Sequence, residues 1–460
     1  MGVGASGVAA RPIRAGVRLG ALIVAAALGG GAPNLVAAQT IPQFGDAAHL
    51  GVSTCAGSTC HGALEPFRSS NVAQNEYITW SQKDKHAKAY KVLFEERSVR
   101  IARNLGLPNA YTAEICLNCH ADNPAQAHRG RQFQLSDGVG CEACHGGSSG
   151  WLGVHISGAS HQDNLKAGLY PTEQPVARAK LCMSCHIGSA ANKFVTHRIM
   201  GAGHPRISFE LDTFTAIQPA HYVVDKDYVE RKGMPNGVQI WAVGQAEALA
   251  ETMTAFLDPA RNPNGFFPEL VFYDCHACHH PMSNLRWEPR ASTGLGPGVP
   301  VFNDANALML RVIAERIDPA LGRALGEHML AFHKAMTESR DRSLHEAAPI
   351  RDIANQLVAK FAGHEFGRDD VRALATGVIN DGLAKNDYVE YAAAEQATMA
   401  LSSIVAAMRH LGMLTEPQFK LVNGALDKLY DAVAKDEEYR SATYAAALRD
   451  FNQALPTQTN

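Results

Sequence analysis

Apolar positions fall into three regimes along the 460 residues. The first is a continuous run from Leu19 to Gly29, preceded by Arg11, Arg14 and Arg18 and followed by Val36, Ala37 and Ala38 just ahead of Gln39. A basic start, a short apolar stretch and a small-residue site read as an export signal over 1–38, cleaved near Ala38. An uncleaved anchor is the alternative, but Gly29, Gly30, Gly31, Pro33 and Asn34 break the run short of the roughly 20 residues a span requires. The second regime, 39–287, shows no sustained period and predicts short helices and long loops. Within it HYVVDKDYVERKG and the alternation of VQIWAV allow a short strand or hairpin, and WAVGQAEALAETMTAFLD reads as an amphipathic helix ending before Pro259. Residues 288–302 are rich in Gly and Pro and read as a linker. The third regime, 303–460, is helical. Ile353, Leu357, Val358 and Phe361 form one stripe, and Phe419, Val422, Leu426, Leu429 and Val433 another. Thr415 and Gln418 make a capping box, and Gly412 is a natural stop for the helix before it. The fold class predicted is mainly α: a loop-rich domain with short helices, followed by an α-helical bundle.

Charge narrows the picture only slightly. Removing 1–38 leaves 39 basic against 45 acidic residues, and the net charge of −3 becomes −6. There is no basic patch for nucleic acid, and no later run of about 18 apolar residues that would cross a membrane.

The cysteines change the picture. All ten fall in pairs, each pair followed at once by histidine: Cys55 and Cys60 with His61, Cys116 and Cys119 with His120, Cys141 and Cys144 with His145, Cys182 and Cys185 with His186, Cys275 and Cys278 with His279. Four pairs have the Cys-x-x-Cys-His spacing that attaches haem c: two thiols add to the porphyrin vinyl groups and the next residue offers the proximal imidazole. One chance copy in a chain of this length has a probability on the order of 0.01, so four are not accidental. A zinc ribbon also uses Cys-x-x-Cys but does not need a histidine after each pair. In the first motif four residues, Ala56-Gly57-Ser58-Thr59, separate the thiols. They are small enough to bulge outward, which makes a fifth haem site; a Cys55–Cys60 disulfide is the alternative. Little protein then surrounds each of five haems, which become much of the core of 39–287.

Sixth ligands come from the remaining histidines. His86, His155 and His204 are the first candidates, then His197, then His280 and His221. His49, His128, His161 and His276 read as solvent-facing or supporting, and the five bundle histidines as structural. Met183, Met200 and Met282 lie near motifs but read as packing. The gaps between proximal histidines, 59, 25, 41 and 93 residues, exclude a tandem repeat, and the 25-residue gap suggests that the second and third haems are in near contact.

The stretches DGVGCEACHGG (137–147), WLGVH (151–155), KLCMSCHIG (180–188) and HRIMGAGHPRISFEL (197–211) resemble the multihaem cytochromes c related to the tetrahaem acceptor of hydroxylamine oxidoreductase. The resemblance covers about residues 55–211. It implies that His155 ligates the first haem, that His86 is the ligand that follows the first motif, and that the haem on His120 is five-coordinate. The longer first spacer, the motif at 275–279 and the helical C-terminal region lie outside it. Two functions follow as expectations. One is an exported, periplasmic pentahaem carrier that relays electrons between redox partner proteins along mostly bis-histidine haems, with no catalytic residue of its own. The other is an oxidoreductase acting on a small nitrogen or sulfur compound at one open iron, with His128 and Asp137 as nonspecific acid–base candidates.

Overall fold

A computed structural model describes residues 40–68, 72–188, 193–261, 267–280 and 287–456. The expected export signal and Met282 lie outside the described residues. In the first half the helices are short: α1 Glu76–Lys83, α2 Glu96–Leu105, α3 Glu114–His120, α4 Cys141–His145, α5 Leu152–Ile156, α6 His161–Lys166, α7 Pro175–His186, α8 His197–Gly201, α9 Leu211–Ile217 and α10 Lys226–Lys232. Pro175 opens α7 at a position where a missing N–H costs nothing, and Thr196 caps α8 through the Ile199 amide. Long helices follow: α11 Gly237–Leu257, α12 Ala305–Ile317, α13 Pro319–Glu338, α14 Arg340–Ala362, α15 Arg368–Leu383, α16 Tyr391–His410, α17 Glu416–Ala432 and α18 Ser441–Ala454. The chain is mainly α, as expected. Among the described residues the only β pairing is two isolated bridges, His49 with Arg129 and Tyr273 with Phe302.

The strand or hairpin allowed at VQIWAV does not form. Asn236 caps the Gln239 amide and the segment runs into the helix predicted after it, making one 21-residue α11. Nor is α11 amphipathic: Val238 and every residue from Ile240 to Ala250 are buried. It packs against α7, α9, α12, α14 and α16, and a stripe appears only where one face meets water. Gly244 lets Leu211 approach to within 2.8 Å of where a Cβ would sit, and Gln245 bonds Gln396 and Asn306 inside the bundle. The HYVVDKDYVERKG segment instead supplies α10, capped by Asp225.

The bundle follows its sequence signals closely. Ile353, Leu357, Val358 and Phe361 are buried in one core with Val422, Leu426, Leu429 and Val433, and Phe419 is packed against that core. The capping box Thr415–Gln418 forms, and Gly412 takes φ 63° as α16 ends. The non-helical stretch 288–302 is firmly held. Arg290, 4% exposed, pairs with Asp304 and Glu390, and Asp304 also bonds His333 at 3.1 Å. Asp304 stands at the N-cap of α12, yet its carboxylate is spent on these partners rather than on the helix.

The apolar core is uneven. Ala179, Met183, Phe209 and Leu211 join the bundle core, whereas the separate cluster in the first half comprises only Leu93, Ala102, Ala110, Leu117 and Ala121. Met183, 2% exposed, is a packing residue, as expected.

Candidate haem-binding centre

Three of the five motifs are the last turn of a helix. In α3, α4 and α7 the two cysteines stand three apart on one face, and the histidine closes the helix. The fifth motif opens with a 3-10 turn, Cys275–Ala277, and keeps the helical bond from the His279 amide to the Cys275 carbonyl, 2.8 Å. The first motif cannot use a helical turn. Its longer spacer folds as a loop: the Cys60 and Gly62 amides donate to the Gly57 carbonyl at 2.8 and 3.0 Å, and the His61 amide to the Cys55 carbonyl at 3.2 Å. Gly57 has ordinary room there. Gly62 does not, because a Cβ would lie 2.0 Å from the Ala56 carbonyl oxygen. Cys55 and Cys60, like the other eight, are not joined in a disulfide.

Each proximal imidazole faces a second one. Ring centroids are 5.9 Å apart for His61 and His155, 6.4 Å for His120 and His204, 6.2 Å for His145 and His221, 6.2 Å for His186 and His86, and 6.1 Å for His279 and His197. Two imidazoles on opposite sides of one metal, with metal–nitrogen bonds of about 2 Å, put their centroids about 6 Å apart. The interplanar angles form two groups: 17° and 29° for the pairs at His61 and His279, and 80°, 87° and 88° for those at His120, His145 and His186. Of the sequence candidates, His86, His155, His197, His204 and His221 enter these pairs. His280 instead lines a cavity of about 570 Å³ with His276, Trp287, Tyr391 and Arg440. His204, opposite His120, occupies the position that the resemblance leaves open.

The segments that carry the facing histidines explain their reach. Gly203, at φ +122°, turns the chain after α8 so that His197 and His204 face different motifs. His86 sits in a 3-10 turn, Lys85–Lys88, capped by Asp84. His155 is in α5, and His221 follows α9.

Several ring nitrogens are oriented by hydrogen bonds. Nδ1 of His61 meets Glu76 at 2.9 Å and Nδ1 of His86 meets Asp84 at 2.9 Å; Nδ1 of His120 donates to the Ala89 carbonyl at 3.0 Å and that of His204 to the Pro205 carbonyl at 2.8 Å. Such a bond fixes the tautomer and leaves Nε2 for a metal. Burial pushes His145 down to about 3, helped by His221 and Lys232, and also lowers His155, His186, His204 and His221. The neutral imidazole so favoured is the form that ligates iron. Glu76 and Asp84 instead raise His61 and His86. Burial alone would raise the Asp84 carboxyl; hydrogen bonds from His86 and Gln218 outweigh it and hold it at about 2. The sequence reading missed both carboxylates. Asp84 stood two residues before His86, a local signal; Glu76, fifteen residues from His61, gave none.

His49 is not solvent-facing but fully buried. With Asp122 and Glu142 it forms a group whose ligand atoms lie within 4.8 Å of one another. Both its nitrogens face oxygen, Asp122 at 2.7 Å and the Pro42 carbonyl at 3.2 Å, while Glu142 takes the Leu50, Gly51 and Ser148 amides. Burial opposes a charge on His49, but Asp122 and Glu142 outweigh it and raise its pKa. The His49–Asp122 bond and the amides bound by Glu142 tie the chain before the first motif to the third.

The motifs adjoin in a particular order. The side chains of Cys55 and Cys141 are neighbours, as are those of Cys119 and Cys185, and Cys182 lies within electrostatic range of Cys144. These neighbours join the first motif to the third and the second to the fourth.

The residues gathered at these sites fit haem. Ten thiols, five facing imidazole pairs and a sparse apolar core coincide in one half of the chain. Fifteen of the seventeen exposed large apolar side chains among the described residues precede residue 271, where porphyrin would cover such surface. No helix among the described residues is long and apolar enough to cross a membrane. No curated protein and no solved structure matches the chain. Residues 54–146, which hold the first three motifs, match the family described as cytochrome c554 and c-prime. That match relates the chain to the multihaem cytochromes c, electron carriers whose haem c is covalently bound.

Proposed function

We propose that the protein is an exported pentahaem cytochrome c in which every iron is closed by two histidines, and that it relays electrons without transforming a substrate. The observation that carries this reading is the repetition of one spacing, 5.9–6.4 Å, at all five motifs, including the irregular first and the isolated fifth. Each haem, when bound, supplies a one-electron Fe(III)/Fe(II) couple. The residues do the rest. The ten cysteines hold the porphyrin edges. His61, His120, His145, His186 and His279 would hold the irons together with the imidazoles that face them, His155, His204, His221, His86 and His197. With both faces taken, no iron offers a coordination site to substrate, which separates this reading from the oxidoreductase alternative.

Adjacency supports a path. Neighbouring cysteine side chains join the first site to the third and the second to the fourth, and Cys144, within electrostatic range of Cys182, links the third to the fourth. His197 and His204, seven residues apart across α8, tie the fifth site to the second. The order is then first, third, fourth, second, fifth, and redox partners exchange electrons at its ends.

The test is the absorption spectrum of the reduced holoprotein with and without carbon monoxide, which binds readily only to an open or weakly held ferrous iron. No change is expected. A change amounting to one haem in five would overturn the closed relay and put the enzyme reading first. The oxidised protein is also expected to give two kinds of low-spin EPR signal in a 2:3 ratio, from the near-parallel and near-perpendicular imidazole pairs.

A further inference from the structure

The four Nδ1 bonds fall into two chemical kinds, and the division follows the sites. At the second site both imidazoles, His120 and His204, donate to neutral backbone carbonyls. At the first site His61 meets the Glu76 carboxylate, and at the fourth His86 meets the Asp84 carboxylate. An anionic acceptor draws the Nδ1 proton toward itself and makes the imidazole a stronger donor to iron, which favours Fe(III) over Fe(II). A fixed negative charge near the metal acts in the same direction, more strongly where the dielectric is low.

We propose that Asp84 and Glu76 are positioning residues that act through His86 and His61 to hold the irons of the fourth and first sites at lower potential than the iron of the second. The inference rests on the ligation described above and goes beyond it: the relay is graded by design rather than built from five equivalent steps.

Asp84 is the stronger of the two. It is 4% exposed, and both oxygens are engaged. Oδ1 accepts the His86 amide at 2.9 Å as well as Nδ1, and Oδ2 accepts Gln218 Nε2 at 3.0 Å. The carboxylate therefore cannot swing away when the iron changes charge. Gln218 belongs to the stretch between α9 and His221, so the same carboxylate fastens the segments that carry the facing ligands of the fourth and third sites. Glu76 is held less tightly. Its Oε1 accepts the Gln74 amide at 3.1 Å, and its side chain is 17% exposed, so water screens part of its effect.

The test is a spectroelectrochemical titration of the purified holoprotein, followed by EPR, on the wild type, Asp84→Asn, Asp84→Glu and Glu76→Gln. Asparagine still accepts the Nδ1 bond but carries no charge. In Asp84→Asn five low-spin haems are expected to remain. One of the five midpoints should rise so that its Fe(III)/Fe(II) ratio at fixed potential shifts about tenfold, equivalent to about 59 mV for one electron. Glu76→Gln should move a different haem the same way by less, and Asp84→Glu should restore wild-type behaviour. Five low-spin haems with all midpoints unchanged in both neutral variants would overturn the proposal and leave the carboxylates as structural supports. If Asp84→Asn does not fold, Glu76→Gln carries the same prediction from a more exposed position. A wild-type protein with a high-spin haem would instead break the ligation reading itself, before any variant is made.

Discussion

Asp304 and Arg290 show what one buried residue decides. Asp304 is 5% exposed and takes both Arg290 and His333. Asp304→Ala leaves a buried guanidinium with Glu390 and, at 3.8 Å, Asp387 as its remaining carboxylates, so chemical denaturation should show a loss of about 3–5 kcal/mol. Glu247, on α11, makes stability depend on pH. Burial raises its carboxyl to about 7, with Glu251 adding and Lys180 subtracting. The folded protein then binds a proton that the unfolded chain, near 4.5, gives up, so stability falls as pH rises from about 4.5 to 7 and is level above. Comparing the thermal midpoints of wild type and Glu247→Gln across that window should reveal the difference, worth about 3 kcal/mol at pH 8. At the first motif, Gly62→Ala forces a Cβ against the Ala56 carbonyl. The expected outcome is loss of one haem of five by pyridine haemochrome assay, with the other four retained.

At the scale of the element, the helices of the bundle were open to reading and those around the motifs were only partly so. Stripes over 353–361 and 419–433, the Thr415 box and the Gly412 stop all form, because each depends on residues within one or two turns of each other. Thr415→Ala should therefore cost about 1 kcal/mol, measurable by urea unfolding, with the haem spectrum untouched. α11 defeated the same reasoning. Period signals a face only if the opposite side meets water, and five helices surround this one. Short helices such as α8 also escape periodicity, yet α8 carries one of the facing imidazoles, His197, and leads to another, His204. Replacing His197 with Ala should open the fifth site alone, so that carbon monoxide then alters the reduced spectrum by one haem in five.

For the whole molecule, the division of labour between core and cofactor is the governing fact. Residues 237–456 supply a large side-chain core, while residues 40–230 add only a five-residue cluster of their own. Protein produced without haem attachment should keep the bundle helical and protease-resistant and lose protection before about residue 235, seen as a stable C-terminal fragment in limited proteolysis. An equally resistant N-terminal half would show that haem does not stand in for core there.

The chain alone determined the attachment chemistry, since a thiol pair and the histidine after it are covalent neighbours and need no fold to be recognised. It also determined the helical bundle, through repeats a few residues long. Only the tertiary structure decided which imidazole faces which. His86 and His186, which face each other, are one hundred residues apart. Ligand pairing, thiol adjacency and the carboxylates behind His61 and His86 arise where distant segments meet, and loop paths leave no periodic trace along the chain.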